Sequence, residues 1–145
     1  MAFTGNWTCD SFKQGLLDGT FNFGSGTTQT YNIALYTNAA TLNQYTTAYT
    51  SAGEVTGTGY TAGGQALTIN QVPTIDTSND VVYLSFANAT WYGSLSVRGC
   101  LVYLNNGTTN PAVFVLDFGN TKQSVTSFTV QFPIASSTSA ILRLG

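Results

Sequence analysis

Residues 95–118 read LSVRGCLVYLNNGTTNPAVFVLDF. Two apolar runs, 101–104 and 112–116, flank Asn105-Asn106-Gly107, residue types that accept the positive φ of a tight connection. Short runs rich in Val, Leu, Phe and Tyr between such breakers predict strands over 95–104 and 112–118, joined by a hairpin or a long loop. The second run is nearly continuous in apolar residues, as is 81–86, so both are expected as central strands covered on two faces.

Outward from this pair the same punctuation recurs. Further strands are expected over 31–36, 66–70, 127–132 and 140–144, which with the three above makes a sandwich-like number. In 127–132 the alternation is clean: Phe128, Val130 and Phe132 share one face, and Thr129 and Gln131 the other. One helix is expected, over 11–18, because Phe12 and Leu16 recur at i and i+4, Asp10 or Ser11 can cap the first turn, and Gly19 marks the stop. Gly15 weakens that pattern. The fold class expected is therefore all-β: a single-domain sandwich or jelly-roll-like antiparallel fold over 1–145, with an N-terminal arm and one short N-terminal helix over 1–25. Residues 37–64 have no sustained period and are expected as a long functional loop.

Composition excludes several function classes. The 145 residues include no His, which removes the commonest general base and metal ligand and every Ser-His or Cys-His nucleophile. Charged residues are 7% of the chain, against about 25% in ordinary globular proteins. The four cations, Lys13, Arg98, Lys122 and Arg143, are scattered, so no nucleic-acid partner is expected. Polarity comes instead from 24 Thr, 12 Ser and 12 Asn, and with 19 aromatics and a net charge of −2 the chain should fold and associate readily. No apolar run approaches the roughly 20 residues of a membrane span, and residues 1–10 do not read as a secretory signal, so no membrane partner is expected. Cys9 and Cys100 are expected as buried free thiols.

The candidate chemistry is thin. Gly57 to Gly64, GTGYTAGG, lacks the Lys and the strand-to-helix junction of a phosphate loop and reads as a turn. Asp76 and Asp80 in DTSND suit a hard cation only weakly and read as a solvated turn. Glu54 is the only Glu, and neither it nor Asp117, read as a strand end, makes a spaced acid/base pair with either Asp. Trp91, Tyr92 and Tyr60 are weighed as a sugar-stacking platform against ordinary packing. No catalytic residue, cofactor or metal is expected.

Five segments, SFKQGLLDGTFNF (11–23), YNIALYTNAATL (31–42), TAYTSAGEVTGTGYTAGG (47–64), RGCLVY (98–103) and VLDFG (115–119), occur in an order that resembles small β-rich virion proteins of tailed bacteriophages. The resemblance implies a non-enzymatic virion protein, a capsid decoration or cement protein that binds the major capsid protein lattice and forms a dimer or trimer. A neck, collar or tail-fibre protein that binds receptor or glycan is the alternative. The contact surface expected is the 37–64 loop with the N-terminal segment, through Phe3, Trp7, Tyr45, Tyr49, Glu54 and Tyr60, with Trp91 and Tyr92 added for the glycan alternative.

Overall fold

The computed structural model describes residues 3–145. The first two residues of the expected arm lie outside that range. The elements are β1 (Trp7–Thr8), α1 (Asp10–Asp18), β2 (Thr30–Tyr36), β3 (Gln65–Leu67), β4 (Ile69–Asp76), β5 (Val81–Phe86), β6 (Ala89–Trp91), β7 (Ser96–Asn105), β8 (Ala112–Gln123), β9 (Phe128–Val130) and β10 (Leu142–Leu144). All strand pairings are antiparallel, in sheets ordered β1-β8-β7-β2-β3, β10-β5-β4 and β6-β9. The protein is mostly β, with one short N-terminal helix and its sheets arranged as in a sandwich.

Register explains how the larger sheet is buried on both sides. Ile33 and Leu35 of β2 lie opposite Val102 and Cys100 of β7. These in turn lie opposite Phe114 and Leu116 of β8, so the row forms one face. That face meets the smaller sheets: the Phe114 ring is 6.2 Å from that of Phe86 on β5, and Tyr31 stacks 4.3 Å from Phe23. The opposite row includes Tyr36, Gly99, Leu101, Tyr103 and Val115. No sheet covers it; Phe3 and residues 37–64 do. Phe3 lies against Gly99, and Tyr49 stacks 4.9 Å from Tyr103.

The hairpin decided by residues 95–118 is present, with β7 and β8 paired along most of their length. The positive φ falls on Gly107 (72°) and Asn110 (44°). Asn106 ties the loop down, its Oδ1 accepting from the backbone of Thr108 and Asn110. As expected, β5 is the middle strand of its sheet and β8 is interior to the larger one, although Val81 to Tyr83 are only half-buried.

Several boundaries differ for identifiable reasons. The strand expected over 66–70 is two strands in different sheets, because the chain crosses between sheets at Thr68, whose carbonyl accepts from Ala87 N at 2.9 Å. The second of these, β4, is an irregular edge strand with Pro73 and two register shifts, which erases its period. Asp117 does not end a strand: β8 runs on to Gln123, and a register shift opposite Arg98 accommodates a two-pronged ion pair, Arg98 Nε to Asp117 Oδ1 at 2.9 Å and Nη2 to Oδ2 at 3.2 Å. The strand alternation over 127–132 holds, but pairing covers only Phe128–Val130. β1 and β6, two and three residues long, are too short to carry a period.

The helix is where it was expected, and Gly19 (φ 83°) ends it in the left-handed conformation. Its start is different. Neither Asp10 nor Ser11 caps it; Cys9 occupies that position without a side-chain hydrogen bond. The start of the helix is held by other bonds, Asp10 N donating to Gln44 O at 2.8 Å and Phe12 N to Cys9 O at 3.0 Å. Gly15 is required by packing, since a Cβ there would run into the Phe21 ring. Both thiols are free and buried, and burial pushes Cys9 up to about 12.

Candidate functional site

Residues 37–64 have the irregular backbone expected, yet they are bound tightly to the sheet. Among the described residues their β-bridges run from Leu42 to Phe3, from Ala48 to Pro111 and from Glu54 to Tyr36. The remaining attachment is made by side chains. Glu54 Oε2 accepts from the Tyr49 hydroxyl at 2.6 Å, and Oε1 accepts from the Tyr60 hydroxyl at 2.6 Å and from Gly63 N at 2.7 Å. Tyr60 Oη in turn accepts from Leu35 N on β2 at 2.9 Å. Two sheet tyrosines complete the box, Tyr36 donating to Thr50 O and Tyr103 to Gly63 O, each at 2.7 Å. Glu54 is only 9% exposed, and three charge-assisted hydrogen bonds offset the cost of burying it.

This box works as a fastener. Desolvation raises the phenols of Tyr36, Tyr49 and Tyr60 above their ordinary value of 10.0, and the Glu54 carboxylate beside them raises them further. Because the folded values exceed the unfolded one, the stabilisation is complete below about pH 10 and is lost as pH rises toward the folded values. Thermal unfolding should therefore be insensitive to pH from neutrality to about 9 and fall steeply above about 10, with tyrosinate absorbance appearing in the same transition as loss of structure. Gradual ionisation of all eight tyrosines ahead of unfolding would count against the fastener.

The expected contact residues divide into two groups. Phe3 (1% exposed) and Trp91 (4%) belong to the core, so neither side chain is presented to a partner. Their places follow from geometry: Phe3 fills the space over Gly99, and Trp91 alternates inward while its neighbour Tyr92 points out. Among the described residues the Trp91 Nε1–H has no hydrogen-bond partner. Glu54, Tyr49 and Tyr60 belong to the fastener. Of the three rings weighed for sugar stacking, only that of Tyr92 stands out from the surface, although Trp91 and Tyr92 line the same hollow.

Tyr45 (70% exposed), Tyr92 (77%) and Trp7, at the margin of exposure, remain on the surface. The structure brings the loop and the N-terminal segment together around the first of these. Gln44 and Thr46 accept from Asp10 N and Ser11 Oγ, and Leu42 bridges to Phe3. Tyr92 lies apart, beside a shallow hollow of about 280 Å³ lined by Thr61, Gln65 and Thr90.

Five of the six acidic groups, Glu54 among them, are committed to local structure. Asp10 pairs with Lys13 at 2.8 Å, Asp18 accepts from Thr20 N at 3.0 Å, and Asp117 is held by Arg98. Asp76 folds its own turn, accepting from Ser78 N and from the Asn79 amide, and the Ser137 hydroxyl, followed by the Asn79 amide and these backbone donors, brings it down to about 2. Among the described residues no group of three or more Cys, Asp or Glu is placed to hold a metal ion. What sequence reasoning missed is the role of Glu54, whose signal was its being the only Glu in the chain, set between tyrosines. No protein-family model, curated protein or solved structure matches the chain.

Proposed function

We propose that this chain is a non-enzymatic structural component of a tailed-phage particle, a decoration or cement protein that seats on the capsid lattice. The observation that carries this reading is where the charge goes. Five of the six acidic side chains are engaged in ion pairs, turns and the tyrosine box, leaving, apart from Asp80, Lys122 and Arg143, a surface of hydroxyls and amides with exposed apolar residues such as Tyr45, Ile75 and Val125. A neutral surface of this kind suits adhesion among crowded copies, where an apolar centre with a hydrogen-bonding rim supplies each contact and many weak contacts add on a lattice. The resemblance described above suggests the particle, and the few uncommitted carboxylates support the adhesive role.

One observation favours a second reading, receptor or glycan binding at a neck, collar or fibre: Tyr92 stands exposed beside a hollow lined by neutral polar side chains. The same particles separate the two. Particles assembled without this protein should release their genome at a lower temperature than complete ones and regain stability when purified protein is added back. Unchanged release overturns cementing, and unchanged heat stability with lost host adsorption supports the second reading instead.

A further inference from the structure

β1 is one edge strand of the five-stranded sheet and β10 one edge strand of the three-stranded sheet, and both line one hollow of about 300 Å³. That hollow shares Thr8, Leu142 and Arg143 with a second, of about 350 Å³, lying between α1 and the three-stranded sheet. It shares Leu116, Pro133 and Ile141 with a third, of about 460 Å³, beside β8 and β9. The three adjoining hollows make a furrow along a side of the sandwich that no strand closes.

Three properties of the furrow describe what fits it. The hollow beside α1 is walled by apolar groups, among them Phe12, Leu16, Val82, Leu84 and Leu144, the last of which is 62% exposed. The outer edges of β1 and β10 pair with no strand among the described residues, so backbone donors and acceptors there are open to an added extended chain. The third property is charge. Lys13, Arg143 and Lys122 all line the furrow, and the one carboxylate in its lining, Asp117, is neutralised by the fourth cation, Arg98. A chain of net charge −2 thus lines one furrow with three of its four cations, and of these only Lys13 has a carboxylate partner, Asp10.

We infer that this furrow receives an extended segment of another protein in which apolar residues alternate with acidic ones. The segment would add to the edge of β10, placing apolar side chains over the α1 hollow and carboxylates toward Lys122 and Arg143. A second copy of this chain fits poorly, because five of its six carboxylates are engaged in ion pairs, turns and the tyrosine box, and no stretch of it alternates apolar with acidic residues. The furrow is defined by this chain alone, so the inference stands or falls independently of the particle reading.

The test is selection of a random dodecapeptide display library on the immobilised full-length chain, followed by affinity measurement on the enriched peptides. Enrichment of alternating apolar and Asp/Glu sequences is expected. Their binding should weaken roughly tenfold or more for K122E/R143E and for Leu144→Asp, and should weaken with added salt. All three side chains are exposed, and unchanged circular dichroism will show that the variants fold. Failure to enrich any peptide, enrichment of neutral or basic peptides, or affinities indifferent to both variants would overturn the inference. Concentration-dependent dimerisation abolished by K122E/R143E would overturn it in favour of a second copy.

Discussion

Glu54→Ala should be the most damaging single side-chain truncation outside the apolar core. It leaves the Tyr49 and Tyr60 hydroxyls and the Gly63 N–H without their acceptor, in a site where the carboxylate itself is 9% exposed. Stranding buried partners of a charged group costs about 3–5 kcal/mol, which for a domain of this size lowers the unfolding temperature by roughly 10–20 °C. Glu54→Gln keeps one acceptor oxygen and the shape, and should lose about half as much. Thermal unfolding followed by circular dichroism checks both, and near-ultraviolet signal from the tyrosines should weaken in the Ala variant before the sheets melt. An Ala variant that unfolds within about 2 °C of the parent would mean that the loop is held by its apolar contacts alone.

The second large effect is expected at Gly64, where the loop re-enters the sheet one residue before β3. Its φ is +75°, and a Cβ there would meet the Ile33 carbonyl, with Ile33 C at 2.6 Å and Ala34 Cα at 2.8 Å. Both obstacles are backbone atoms of the adjacent strand, so no side chain can swing aside. Gly64→Ala should cost more than about 3 kcal/mol, separating β3 from β2 or preventing folding. Gly26→Ala is the control that divides the two causes. Its φ of +77° is nearly the same but its Cβ would meet nothing within 4 Å, so it should cost only about 1–2 kcal/mol. Equal losses at the two sites, read by denaturant unfolding, would show that backbone conformation alone sets the penalty.

These sites also show which parts of the structure a sequence reveals. The β7–β8 hairpin and α1 are local: apolar runs around Asn105-Asn106-Gly107 and the Phe12/Leu16 spacing ending at Gly19 are written within a few residues. β4 was legible only at its start, because Pro73 and the register shifts of an edge strand break its alternation. The site was less legible still. Loop aromatics that look equivalent in sequence are sorted by tertiary register into fastener (Tyr49, Tyr60) and surface (Tyr45), while Phe3 and Trp91 turn inward. Nothing in a one-dimensional pattern says that the second face of the large sheet is covered by a loop and not by another sheet. Side-chain hydrogen bonds to irregular backbone have no period.

The pairing of Trp7 and Thr8 with Val115 and Phe114 has a kinetic meaning. Asn6 Oδ1 receives the Asp117 N–H across 111 positions of chain, so the N-terminal arm leaves the ribosome long before its partner strand exists. At about 5–20 residues per second that interval lasts roughly 5–20 s, during which Phe3 and Trp7 have no permanent place to go. Contacts this distant in sequence also slow closure after release. The nascent arm is therefore a natural target for holding chaperones, and production of the protein should depend on them more than its modest size suggests.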